Sequence, residues 1–324
     1  MRHRCSVDAV DFLLTAQRNP SVVRKMQTLH SSRMQTHRGT KTDFLKVHWS
    51  RNPQKFYHLI PFVALINKSV SILPMMSIRA VITGTGSALS DRNYGSSAAL
   101  ITNSGLVLID CPDSILRAMK DASKKSGIDL DPMRITDILI THLHGDHVNG
   151  LEALGWKRWI ARQSGNGIQP RIHAIESVAS RLWERLAPAM DQNGNAQLSD
   201  YFSLNILVPE VAIAIAELRV EARCSEHLIP SSGFRISCNG ATLGWSGDTR
   251  FDPSHIDWLA SADVIIHETS ESRVHTPIAC LNALAPELRR KMRLIHMEDN
   301  FDQAVTDIVP LTEGEVLEVV GLDR

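Results

Sequence analysis

Paired cysteines are missing from this sequence. Its five cysteines, Cys5, Cys111, Cys224, Cys238 and Cys280, are odd in number and scattered, and no Cys-x-x-Cys pair occurs. That excludes a disulfide framework and a thiolate zinc knuckle, and makes a reducing, cytoplasmic setting the natural expectation. Long apolar runs are missing too. The richest stretch, residues 58–73, is interrupted by Lys68 and falls short of the ~20 apolar residues a spanning helix needs, so no membrane segment is expected. Net charge is also absent, with 35 Lys and Arg against 35 Asp and Glu. The balance is uneven along the chain. Residues 1–76 carry twelve Lys and Arg, three Asp and no Glu, which leaves the remainder acidic. An acidic body is a poor general surface for nucleic acid, whose phosphates are held by clustered Lys and Arg; only a local basic groove would serve.

What is present divides at residue 76. Residues 1–76 show no helical or strand period, and low order is expected across 1–74. They read either as a transit-like presequence or as an extension upstream of a start at Met75 or Met76, in both cases outside the working domain. Directly after Met76, Ser77-Ile78-Arg79-Ala80-Val81-Ile82 reads as the first strand of a domain spanning 77–324. Further strands are expected at 98–101, 106–110, 135–141, 171–174, 204–208, 212–216, 218–222, 233–238, 241–246, 264–267 and 293–296. Helical spacing covers 114–126, with Ile115, Ala118, Met119 and Ala122 on one face, and also 148–159 and 177–189. The polar, Gly- and Asn-containing stretch 190–203 reads as a loop. Two groups of strands with helices between them fit a four-layer αββα sandwich.

The chemistry is concentrated in Thr141-His142-Leu143-His144-Gly145-Asp146-His147, which closes the Ile- and Leu-rich strand 135–141. Side chains two apart on extended backbone point the same way, so His142 and His144 can grip one cation together. Asp146 and His147 belong to the following turn and can aim at a second cation. Imidazole and carboxylate without thiolate suit zinc, with manganese or iron as alternatives.

His-x-His-x-Asp-His after an apolar strand resembles the signature of the metallo-β-lactamase superfamily, and the resemblance runs over about residues 78–300. It implies a four-layer αββα metallo-β-lactamase fold. It also implies that His142, His144 and His227 hold one metal, that Asp146, His147 and His296 hold the other, and that Asp248 bridges the two. Gly84-Thr85-Gly86-Ser87-Ala88, Leu108-Ile109-Asp110-Cys111 and His267-Glu268-Thr269 are similar to motifs of the ribonuclease Z-like branch. His275, twenty-one residues before His296, stands where that branch has a further histidine. By resemblance, Glu268 orients His275, which protonates the leaving oxygen; a carboxylate beside the imidazole should raise its pKa. His267 is expected to be a strand-end residue bonded to the site's scaffold, and His173 and His255 are read as structural or surface residues.

The resemblance therefore implies a dinuclear zinc hydrolase with metal-bound hydroxide as nucleophile and Asp146 as ligand and proton acceptor. The expected substrate is a small or flexible ester, a phosphodiester first. A thioesterase or lactonase acting on carbonyl esters, and a non-hydrolytic iron protein, are the alternatives on the same fold. Transfer-RNA processing is not expected. No Gly/Pro-rich arm is recognisable, the body is acidic, and Met297-Glu298-Asp299-Asn300 replaces the Ser-x-Arg-Tyr type of ending. A homodimer is compatible with all of this.

Overall fold

The computed structural model describes residues 77–321, so the expectations for 1–76 fall outside the described residues. The strands are β1 (Ser77–Gly84), β2 (Ser97–Ile101), β3 (Leu106–Ile109), β4 (Ile135–Leu139), β5 (Arg171–Ile175), β6 (Ser203–Leu207) and β7 (Ile213–Ile215). They continue with β8 (Leu218–Ser225), β9 (Ser231–Cys238), β10 (Ala241–Trp245), β11 (Val264–Glu268), β12 (Met292–Ile295), β13 (Val309–Pro310) and β14 (Val316–Val320). They form two seven-stranded sheets, ordered β14-β1-β2-β3-β4-β5-β6 and β13-β12-β11-β10-β9-β8-β7. The sheets meet face to face where β1 packs on β9 and β10, and β10 on β14.

Burial follows pairing. β3 and β4 are parallel neighbours and every residue of both is buried, as strands covered on both faces must be. β8, antiparallel at the far side of the second sheet, buries Leu218, Val220 and Ala222 in alternation.

Helices supply the outer layers. Helix α1 (Ile115–Ser126) buries Ile115, Ala118, Met119 and Ala122, the face its spacing predicts, and packs on β1. The helix expected over 148–159 is instead a single turn, α2 (Gly145–Val148), followed by α3 (Gly150–Gln163). The break falls where the Gly150 N–H leaves the helical ladder to donate to Cys111 O at 2.9 Å. Only glycine allows that approach, since a Cβ at Gly150 would sit 2.1 Å from Pro112 O. Helix α4 (Glu176–Met190) covers β5 and β6. The expected loop 190–203 contains a one-turn helix, α5 (Leu198–Tyr201), opened by the Asp200 carboxylate, which accepts from the Gln197 N–H.

On the other outer face, α6 (Pro253–Leu259) carries a proline at its first position, where no intrahelical N–H is needed. Asp252 caps it, its side chain accepting from the Ser254 N–H. Its Ile256 and Leu259 pack with Ile265, Met292 and Leu294 in a second, smaller core. Two short helices, α7 (Ile278–Asn282) and α8 (Pro286–Arg289), follow β11. The layers are therefore α, β, β and α, as the strand and helix patterns predict. The C-terminal strands β13 and β14 lie beyond the sequence expectations, and β14 completes the edge beside β1. Among the described residues, no helix is long and apolar enough to cross a membrane.

Candidate metal centre

Four strands deliver the candidate residues from their C-terminal ends, where loops can converge without disturbing the sheets. Beyond β4 the chain runs through His142 to His144, whose backbone is extended, before α2 begins. Beyond β10 comes Ser246-Gly247-Asp248, in which Gly247 has φ 60° and a Cβ would meet Ser232 O at 2.4 Å. β11 ends on Glu268 and β12 is followed by His296. His227 comes from the connection between β8 and β9.

The ligand-type atoms of His142, His144, His227 and Asp248 lie within 4.8 Å of one another, as do those of Asp146, His147, Asp248 and His296. In the first group His142 Nε2 and His227 Nε2 stand 3.0 and 3.1 Å from His144 Nδ1. Asp248 Oδ2 is 3.6 Å from His142 Nε2 and 3.9 Å from His227 Nε2. In the second, Asp146 Oδ2 is 3.3 Å from His147 Nε2 and 3.2 Å from His296 Nε2. Asp248 reaches this group as well, with Oδ1 3.4 Å from His147 Nε2 and Oδ2 3.4 Å from His296 Nε2. Ligands ~2.0–2.1 Å from a tetrahedral zinc stand about 3.3 Å apart, so these spacings suit shared cations.

Hydrogen bonds behind the rings decide which nitrogens are bare. Thr141 Oγ1 donates to Asp110 Oδ2 at 2.8 Å, so it can accept from the His142 Nδ1–H at 2.9 Å. The His227 Nδ1–H donates to Val274 O at 3.1 Å. Both Nε2 atoms are thus lone-pair bearers facing His144 Nδ1, which could donate one proton to only one of them. A cation resolves the clash that remains. His147 Nδ1–H donates to Asp110 Oδ2 at 2.8 Å, and the buried His147 Nε2 has no hydrogen-bond partner among the described residues. The residues present therefore fit a pair of divalent cations.

Electrostatics divide the two groups. Burial, aided by the neighbouring His147, holds His142 well below the usual imidazole range. Burial lowers His144 and takes His227 to about 4. Burial also works against charge on His147 and His296, yet the Asp248 carboxylate, with Asp110 at the first and Asp146 at the second, holds both above the usual range. Burial opposes ionisation of Asp146 and Asp248, but the surrounding histidines keep both carboxylates below theirs.

Beside this cluster, the His275 Nδ1–H donates to Glu268 Oε1 at 2.9 Å, and the same oxygen accepts from the Thr249 N–H at 2.8 Å. His275 stacks on His296 with ring centroids 4.8 Å apart. One expectation needs correction. His275 is lowered, not raised, because burial outweighs the nearby Asp248 and Asp146 carboxylates. Burial and then the Asp248 charge push Glu268 well above its ordinary value. His267 donates through Nδ1 to Glu268 O, and burial takes it down to about 4. His255 donates to Ser246 O, and His173 is bonded to Asp137, so both are structural.

Asp110 and Thr141 are supporting residues to which sequence reasoning gave no role, although both lie in motifs it quoted. Asp110 accepts from the Thr141 N–H, the Thr141 hydroxyl and His147 at once, from a left-handed backbone of φ 59°. The signals for Asp110 were its place in the Leu108-Ile109-Asp110-Cys111 motif and its position directly after β3, the parallel neighbour of the strand that carries the histidine cluster.

Fold and site together define a metal-dependent hydrolase of the metallo-β-lactamase class. The chain belongs to the family of the anti-Pycsar protein Apyc1, whose family model matches residues 78–311. It is 29% identical over 236 residues to the anti-Pycsar protein Apyc1 of Paenibacillus sp. (strain J14), covering 70% of this chain and 92% of that one. It is 25% identical over 208 residues to the cAMP/cGMP-dependent 3′,5′-cAMP/cGMP phosphodiesterase B of Dictyostelium discoideum, covering 59% of this chain and 18% of that one. Among solved structures, the metallo-β-lactamase fold protein YhfI from Bacillus subtilis matches with a TM-score of 0.62 at 14% identity, over 75% of this chain and 99% of that one. Ribonuclease Z structures are also fold neighbours.

Proposed function

We propose that this chain is a dinuclear zinc phosphodiesterase that opens the cyclic ester of a 3′,5′-cyclic nucleotide. The observation that carries the reading is the pair of ligand groups sharing Asp248, in a chain related to an enzyme named for 3′,5′-cyclic nucleotides. His142, His144 and His227 would hold one zinc, Asp146, His147 and His296 the other, with Asp248 between them. Zinc is favoured because the donors are imidazole and carboxylate with no thiolate; manganese and iron are the competitors. Bound there, two cations would make a nucleophile available from water near neutral pH and offset the charge that builds on the phosphoryl oxygens.

The chain's own groups do the rest. Asp146, kept ionised by His147 and His296, can accept the proton of the attacking water at the oxygen that does not face the cation. Glu268 fixes the His275 ring through Nδ1 and leaves Nε2 to carry a proton to the departing ribose oxygen. The acidic body supports a small substrate over transfer RNA. The test is side-by-side turnover of cAMP, cGMP and bis-p-nitrophenyl phosphate against thioesters and lactones by zinc-loaded protein. Phosphodiester turnover alone is expected. Carbonyl-ester turnover without it would replace the reading with a thioesterase or lactonase, and bound iron without any hydrolysis would point to the iron protein.

A further inference from the structure

The segment after the last histidine, Met297-Glu298-Asp299-Asn300, takes no part in the ligand groups found among the described residues, yet its Glu298, Asp299 and Asn300 line a cavity of about 380 Å³. One end of that cavity is formed by His275 and His296, so it opens onto the reaction centre. Its volume lies in the ~300–1,000 Å³ range of small-molecule sites. The loop between β1 and β2 lines it as well, through Ser87, Ala88 and Leu89. Asp299 pins that loop: Ser90 Oγ donates to its Oδ1 at 2.5 Å and the Asp91 N–H to its Oδ2 at 2.9 Å. The Ser87 N–H adds a bond to Met297 O at 3.0 Å.

A single exposed leucine is ordinary on a protein surface. Leu89 differs in its place, being 94% exposed on a pinned loop at the rim of a cavity that leads to the reaction centre. In the same lining, Ser270 Oγ donates to Glu298 Oε1 at 2.9 Å, which fixes the carboxylate and leaves its second oxygen for a ligand donor. The cavity's lining thus offers an exposed apolar side chain and an anchored carboxylate. A second phosphate would be repelled by Glu298 and Asp299. A flat heterocycle with an N–H donor on its edge suits both features.

We infer that this cavity is the nucleobase subsite, with Leu89 against the flat face of the base and Glu298 accepting from an exocyclic amino group. The inference rests on the cyclic-nucleotide reading. Glu298 is then a specificity-determining residue, and Asp299 a positioning residue that acts through the loop. Bases that carry an amino group are preferred to analogues that lack it.

The experiment compares cAMP with the cyclic nucleotide of unsubstituted purine, which differs by the amino group alone, on the zinc-loaded full chain. Glu298→Gln should lower kcat/KM for cAMP about tenfold, mainly through KM, because a charge-assisted hydrogen bond becomes a neutral one. The unsubstituted purine substrate should change less than about twofold on the same ground. Leu89→Ala should raise KM for both substrates about threefold with kcat kept, since an apolar cover does not distinguish bases. Calorimetry with 5′-AMP and purine riboside 5′-monophosphate reads the same preference without turnover. Equal effects of Glu298→Gln on both members of each pair, or none, overturn the subsite. Turnover of cAMP with an unmoved ratio would sink the subsite and leave the reaction standing. A Glu298-dependent preference in binding, with no turnover by the native chain, would keep the subsite and sink the reaction.

Discussion

Replacing Asp110 by Asn should weaken metal binding at one of the two positions without unfolding the chain. Asp110 is fully buried and accepts three bonds, from the Thr141 N–H, the Thr141 hydroxyl and His147 Nδ1, each with a 2.8 Å contact. An asparagine there has one acceptor oxygen and an NH₂ that must face one of those donors. Thr141 holds a fixed backbone N–H, whereas His147 can move its proton to Nε2. That atom points at Asp146 and Asp248, so the shift removes the lone pair a metal would use. Loss of such a supporting carboxylate lowers metal affinity about 10–100-fold, or roughly 1.4–2.7 kcal/mol. The backbone adds little, because Asn tolerates the left-handed φ of 59°. Chelator competition on native and variant protein measures the two affinities, and thermal unfolding of the metal-free forms checks the fold. One weakened site beside one unchanged is expected. Two unchanged sites, or equal weakening of both, would refute the reasoning.

Acidification should empty the sites one after the other. His147 and His296 are held above the usual imidazole range while His142, His144 and His227 are held below it, so falling pH sets protons against metal first at the Asp146–His147–His296 group. Metal content after dialysis across a pH series should step down through one per chain, and simultaneous loss would contradict this. His275→Ala should leave metal content intact and slow a substrate with a poor leaving group by about 10²–10⁴-fold, while p-nitrophenyl esters feel it much less. Since burial lowers His275, its acid form is lost as pH rises, and native turnover of the poor leaving group should fall in the same direction. Equal losses for both substrates would dismiss the proton donor. A chain starting at Met76 should keep its melting temperature and turnover; a large drop in either would place residues 1–75 within the working protein.

The layered fold was legible because its buried strands are uniform apolar runs, β3 and β4 above all, and because α1 keeps its apolar face in register. The edge was not. β14 buries only Val319 fully and is held partly by the Arg79–Glu318 ion pair, a contact across 239 positions that no local pattern announces. The α2–α3 break was hidden in the same way, since Gly150 looks like a tolerated helix glycine until Cys111 O comes to meet it. At the site, His142, His144, Asp146 and His147 announce themselves by spacing, and His227, Asp248 and His296 only through resemblance. Asp110 showed only as part of the Leu108-Ile109-Asp110-Cys111 motif, and its role stayed hidden because an aspartate at a strand end has many ordinary uses. The direction of the His275 shift was misread because a carboxylate partner is visible in sequence and burial is not.

Zinc titration against turnover tests the dinuclear phosphodiesterase most directly. Metal-free protein is given increasing zinc, and hydrolysis of cAMP is followed together with bound metal. Activity should rise to a plateau at two zinc ions per chain, with the 3′,5′-cyclic ester opened to a nucleotide monophosphate. A plateau at one zinc, or two zinc ions bound with no hydrolysis of any cyclic nucleotide, would contradict it.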